Sequence, residues 1–134
     1  MTASAARTRL EPLLGTEFGT SDWSLLSPGR VSLFADAVSP SSEEVPTMML
    51  LSLIPGLTSG IRMPIDPPHT AVNYGLDGCR AGKRARVGER VRARATLLSI
   101  EEGGTWLQIK RRIVLENEAG ERVLEADTLT RLYW

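Results

Sequence analysis

The chain has 134 residues, 42% of them apolar and 24% charged, which is the composition of one folded domain and not of a disordered tail. Its 16 basic and 16 acidic residues cancel, which argues against a dedicated nucleic-acid or polybasic membrane binder. A single cysteine, Cys79, and a single histidine, His69, exclude an intrachain disulfide, a thiolate zinc cluster and a multi-histidine metal site within one protomer.

Residues 1–14 are expected to form a mobile arm, because Met1 to Ala6 are small and polar and Arg7 to Leu14 suit no more than a short turn. Arg7 and Arg9 lack the apolar stretch that follows them in a secretory signal. The longest apolar run, Met48 to Leu57, is about half of the roughly 20 residues a bilayer span requires. A cytoplasmic setting is therefore expected. Residues 15–134 read as a single domain.

Ser27-Pro28 marks a helix start, with serine able to cap and proline suited to the first helical position. Val31, Phe34, Ala35 and Val38 then recur at helical spacing and form one apolar face. Glu43-Glu44-Val45-Pro46 suits a second start, with acids before the positive helix end. Thr47 to Ile54 is apolar nearly all round, which predicts a helix buried on most sides, with Pro55-Gly56 as its stop. Pro64, Pro67 and Pro68 make the next segment irregular.

The pattern then turns to strands. Thr70 to Tyr74 can begin one, and Val91 to Ile100, Trp106 to Leu115 and Arg122 to Tyr133 are long extended segments. Val91, Ala93, Ala95 and Leu97 oppose Arg90, Arg92 and Arg94. Leu107, Ile109, Ile113 and Leu115 oppose Gln108, Lys110 and Arg112, with Arg111 breaking the apolar set. Leu124, Ala126 and Leu132 oppose Glu125, Asp127 and Arg131. The linkers Glu102 to Thr105 and Asn117 to Gly120 each hold glycine where a hairpin needs positive φ. Two helices followed by an antiparallel meander imply an α+β layout, with the sheet wrapped around the buried helix.

Several fragments coincide in order and spacing. Gly19-Thr20-Ser21-Asp22-Trp23 precedes a helix containing Phe34-Ala35-Asp36-Ala37; Met48 to Pro55 forms the buried helix; Val72-Asn73-Tyr74-Gly75 leads to Arg80; and Val87-Gly88 opens the arginine-alternating strand. Together, over about residues 12–132, they resemble the MaoC-like (R)-specific enoyl-CoA hydratase and dehydratase family. The resemblance implies a hotdog fold, in which an antiparallel sheet curls around one long helix, and a dimer with acyl-thioester sites near the subunit interface. It also implies that the N-terminus of the buried helix, here Thr47 and Met48, faces the thioester carbonyl and stabilises charge developing on its oxygen.

The match departs from the family at its catalytic pair. The family's aspartate position is held by Pro40, its histidine falls in a shortened stretch between the helices, and Pro46-Thr47 replaces a histidine-glycine pair. Ordinary hydration by the family mechanism is not expected. Replacement acid–base groups are His69, after Pro67-Pro68; Glu43, just before the buried helix; and Tyr74, whose phenol can donate a proton or simply pack. Asn73 can hold a thioester oxygen. Arg80, with Lys83, Arg84 and Arg86, can meet the phosphates of CoA or of a carrier-protein arm. Trp23 is read as an interface or core aromatic beside the substrate. Each has a plainer reading: exposed loop for His69 and the basic cluster, helix-dipole placement for Glu43 and Glu44, strand packing for Asn73 and Tyr74. Arg90, Arg92, Arg94, Arg111 and Arg112 are read as a solvent-facing surface paired with Glu101, Glu125 and Asp127.

The function implied is a diverged lyase-like enzyme. It would act on an acyl-CoA, an acyl-carrier-protein-bound substrate or a released polyketide-like product, by dehydration, conjugate addition or cyclisation, as in natural-product biosynthesis. No cofactor or metal is expected. The alternative is a non-catalytic hotdog subunit that pairs with an active dehydratase and shapes its acyl tunnel. A homodimer is the first expectation and a heterodimer the second, with no nucleic-acid or membrane partner.

Overall fold

The computed structural model describes residues 1–38 and 44–134. The chain opens with helix α1 (Ala3–Leu10), capped by Thr2, whose Oγ1 accepts from the Ala5 amide at 3.1 Å. A 3-10 turn over Glu11–Leu13 follows. This segment is packed and does not form the expected mobile arm. Ala6 and Leu10 are fully buried in a cluster with Leu97, Leu107, Ile109 and Leu132. Ala3, Ala6 and Leu10 form a stripe of one helix face, and small alanines let that face lie close against the sheet.

Strands β1 (Glu17–Thr20) and β2 (Ser24–Leu25) lead to helix α2 (Pro28–Val38). Ser27 caps it as expected: its Oγ accepts from the Arg30 amide at 3.3 Å and its carbonyl from Val31 at 3.1 Å. Val31 is buried and Phe34 packs on the core, whereas Val38 is 56% exposed, so the expected apolar face is used mainly in its first half. Helix α3 (Thr47–Thr58) runs three residues past Pro55, which sits inside it and does not stop it. Thr58 Oγ1 donates to the Ile54 carbonyl at 2.8 Å and the Ser59 amide to Pro55 at 3.1 Å, so the last turn stays hydrogen-bonded beyond the proline.

Strands β3 (Thr70–Ala81), β4 (Arg90–Glu102), β5 (Trp106–Asn117) and β6 (Arg122–Tyr133) complete an antiparallel sheet in the order β1-β4-β5-β6-β3, with β2 also on β4. The expected alternation places Val91, Ala93, Ala95 and Leu97 of β4, and Leu107, Ile109, Ile113 and Leu115 of β5, on one fully buried face. Met49, Leu50 and Ile54 of α3 pack in the same core as Ala93, Ala95, Ile113 and Leu124. One central helix against the inner face of an antiparallel sheet is the hotdog arrangement, an α+β fold. No helix among the described residues is long and apolar enough to cross a membrane.

Four local expectations are corrected. Helix α3 is buried on one side only: Met48 is 64% exposed, and Ser52, Pro55 and Gly56 are exposed too, because no described residue packs over that side. Strand β3 extends well beyond Tyr74, so Arg80 lies on a strand and not in a loop. It forms the sheet edge and is exposed along its whole length. Gly120 takes the positive φ (77°) expected of its hairpin. In the other hairpin Gly103 has a different role: a Cβ there would collide with the Trp106 ring.

Candidate active site and cavities

Two cavities flank α3. The larger, about 1010 Å³, lies between the C-terminal half of α3, the irregular segment after it, and the inner faces of β3, β5 and β6. Leu51, Ile54, Met63, Ile65, Ile109 and Leu132 make most of its wall apolar. Asn73, Arg111, Thr128 and Thr130 supply polar groups on the sheet side. The smaller, about 490 Å³, is bounded by Ser21, Asp22 and Trp23 on one side and by Ser52, Leu53 and Gly56 of α3 on the other.

The register explains the polar floor of the larger cavity. Leu76 of β3 lies opposite Thr128 of β6, which lies opposite Arg111 of β5, which lies opposite Leu97 of β4. Asn73, Thr130 and Ile109 form the neighbouring row. Both rows face inward, since Leu97 and Ile109 are fully buried. Arg111 is therefore an inward residue, in the line of Leu107, Ile109, Ile113 and Leu115, and its place on a solvent-facing surface with Arg112 is corrected. Strand parity decides this, because alternate side chains point to opposite faces whatever their charge. The Arg111 Nε is sealed from solvent and meets no hydrogen-bond partner among the described residues. Desolvation alone pushes its guanidinium pKa down.

The outer face behaves differently. Arg112 is held by both oxygens of Asp127, at 2.9 and 3.0 Å, as the sequence suggests. Arg92 and Arg94 instead share the buried Glu116, at 2.8 and 3.4 Å, and Arg94 also forks onto Glu17. Those hydrogen bonds hold Glu17 below the usual carboxylate range.

The residues singled out from sequence are dispersed over this frame. Thr47 and Met48 open α3, where the Pro46 carbonyl accepts from Met49 at 2.9 Å and from Leu50 at 3.3 Å. Asn73 faces the larger cavity. Tyr74 is the extra residue of a bulge in the β3–β6 ladder, and its exposed ring lies 3.7 Å from the Arg131 guanidinium. The Trp106 ring lies 4.1 Å from that same guanidinium. His69 is exposed just ahead of β3, its amide donating to the Tyr133 carbonyl at 2.8 Å. Trp23 borders the smaller cavity, 39% exposed, with Arg92 at 4.4 Å over its ring. Arg80 is exposed opposite Glu125. Glu44 Oε1 accepts from the Val87 amide at 3.1 Å and so ties the entry of α3 to the turn before β4. Glu43 and Pro40 lie outside the described residues.

Asn73 and Arg111 thus share a cavity, whereas His69, Tyr74 and the start of α3 occupy separate places in one chain. Arg111 was missed as a site residue. Its signal was the interrupted apolar alternation of β5. The Cys79 thiol is raised by desolvation, which weakens it as a nucleophile. Among the described residues no group of three or more His, Cys, Asp or Glu is placed to hold a metal ion.

No family model and no curated protein matches this sequence. Solved structures do match in shape. A MaoC-like dehydratase from Rhodospirillum rubrum is similar with a TM-score of 0.75 at 15% identity, over 92% of this chain and 95% of that one. A C-terminally truncated HadBC complex from Mycobacterium tuberculosis, a 3R-hydroxyacyl-ACP dehydratase, gives 0.68 at 19% identity, over 88% and 96%. The ChsH1–ChsH2 complex from the same organism gives 0.65 at 14% identity, over 90% and 98%. The shared property at these identities is the fold.

Proposed function

From the hotdog fold of the MaoC-like dehydratases, we propose that this protein is a diverged enzyme acting on an acyl thioester or an acyl-derived enone. The observation that carries this reading is the shape match, which spans nearly all of both chains. First-turn amides of a helix lack intrahelical partners and sit at the positive end of its dipole. In α3 that turn includes Met48, and its entry is fixed by Glu44 and Val87. A carbonyl oxygen held there would gain stabilisation as it takes on negative charge, the shared requirement of dehydration, conjugate addition and cyclisation.

The base is assigned to His69, Tyr74 or Glu43, and the phosphates of a CoA or carrier arm to Arg80. A second copy pairing along the exposed edge of β3 would bring His69, Tyr74 and Arg80 of both copies to one interface. The twelve-residue β3 edge, with Val72, Tyr74 and Leu76 exposed, supports that homodimer. The test is enoyl-thioester turnover, followed as loss of the conjugated absorbance with water and then with added amines. His69→Ala, Tyr74→Phe and Glu43→Ala run beside the parent. Turnover abolished by one substitution is expected. Absence of turnover from folded, dimeric parent across short and long acyl chains would overturn the assignment.

The dispersal of His69, Tyr74 and the α3 N-terminus within one chain favours a second reading, a non-catalytic subunit of a hotdog heterodimer. Co-expression with candidate hotdog partners would then yield a stable mixed dimer with activity that the partner alone lacks.

A further inference from the structure

The larger cavity contains a cation that the proposed thioester chemistry does not use. It lies beside the C-terminal half of α3, whereas the carbonyl site is placed at the helix N-terminus. Arg111 projects from the centre of an apolar row, and among the described residues its guanidinium has no carboxylate or other hydrogen-bond acceptor. Every other cation on the sheet has a partner of some kind nearby or faces outward; Arg112, one residue along, is forked onto Asp127. An unpaired guanidinium in an apolar wall is costly, and costly arrangements persist where a ligand completes them.

We propose that this cavity binds an apolar monocarboxylic acid, with Arg111 receiving the carboxylate. Three neighbours suit the role. Thr128 and Thr130 lie on the adjacent strand, Thr128 directly opposite Arg111, and Asn73 lies opposite Thr130. All three line the cavity; Asn73 and Thr130 carry groups able to donate to carboxylate oxygens, and Thr128 Oγ1, which donates to the Arg111 carbonyl at 3.4 Å, would turn to do so. The rest of the wall is aliphatic, and the volume of about 1010 Å³ stands at the upper end of small-molecule pockets, so the ligand's body is large and apolar. A monoanion fits better than a phosphate. The cavity's other cation, Arg62, is exposed on the segment after α3, and Asp66 beside it is paired with Arg9 at 3.3 Å, so Arg111 is the one cation set into the apolar wall and can match one negative charge there. A planar carboxylate also matches the two-toothed geometry of a guanidinium.

The inference stands apart from the thioester reading and survives its failure, because its readout is binding and not turnover. The probes are octanoate and octanamide, which share shape and differ in charge, titrated to 10-millimolar order (~10 mM) against the ¹⁵N-labelled full chain. The Arg111 Nε–H resonance is expected to move with octanoate, and octanoate to bind about tenfold or more tightly than octanamide, as hydrogen bonds to a charged group allow. Arg111→Met should abolish that preference, Arg111→Lys should retain part of it, and Arg112→Met should leave it intact. Equal binding of the two probes, unchanged octanoate affinity in folded Arg111→Met, or no binding of either by the parent would each overturn the proposal.

Discussion

Replacing Arg111 by methionine should make the protein more stable, the reverse of what loss of an arginine from a paired site does. The substitution keeps a flexible unbranched chain as long as the arginine stem out to Nε and removes the rest of the guanidinium with its charge. In the parent, the sealed Nε forms no hydrogen bond, and an unmet buried donor costs about 1–3 kcal/mol, more when charged. The other guanidinium nitrogens border a cavity of about 1010 Å³ that admits water, which lowers the penalty, so a gain of roughly 1–2 kcal/mol is expected. For a chain of this length each kcal/mol moves Tm by about 3–5 °C, giving a rise of about 3–10 °C. Thermal and urea unfolding at one fixed protein concentration would measure it, with an unchanged urea slope showing that the unfolded state is the same. A loss of more than about 1 kcal/mol in Arg111→Met would refute the reasoning, because it would mean that the guanidinium is satisfied in solution. A stabilised variant that has also lost carboxylate binding would show stability given up for a site.

Leu10→Ala should cost about 2–5 kcal/mol, because the side chain is fully buried against Leu97, Leu107 and Leu132; a midpoint shift close to zero in urea would return residues 1–14 to a mobile arm. Acid should weaken the fold through two carboxylates. Glu17 is held below the usual range by its hydrogen bonds to Arg94, and Glu121 by Lys83 and then Asn117. Their contribution is complete above the unfolded-state value of about 4.5 and is lost as pH falls through the lower folded values. The urea midpoint should therefore fall below about pH 4.5. Arg94→Met should flatten part of that fall, and an unchanged slope would show that the Glu17 pair contributes nothing.

The meander was legible because each of its strands has one covered and one wet face. Val91, Ala93 and Ala95 alternate with Arg90, Arg92 and Arg94, and the buried set is the alternate one. Helix α1 was illegible for the opposite reason. Its buried stripe consists of Ala3, Ala6 and Leu10, and alanine gives little hydrophobic contrast to read. Strand β3 shows no alternation of burial, since all of its residues are exposed, so only its first residues looked extended.

Arg111 marks the boundary between the two sources of knowledge. Residue spacing alone determined that β5 alternates and that position 111 belongs to the row of Ile109 and Ile113. A charged residue in that row then sets strand parity against the preference of charge for water, and local pattern has no means of ranking them. Tertiary structure ranks them: the irregular segment after α3 and the edge strand β3 leave a cavity over that part of the sheet, so the side chain points inward without being packed in aliphatic groups on every side. The same holds for the polar floor. Asn73, Arg111, Thr128 and Thr130 come from three strands, and their meeting is a property of register. Sequence determined the α+β order, the meander and the faces of its strands, since these follow from the local periodicity of burial. Which polar groups share a cavity depends on contacts between distant segments, and only the folded chain decided it.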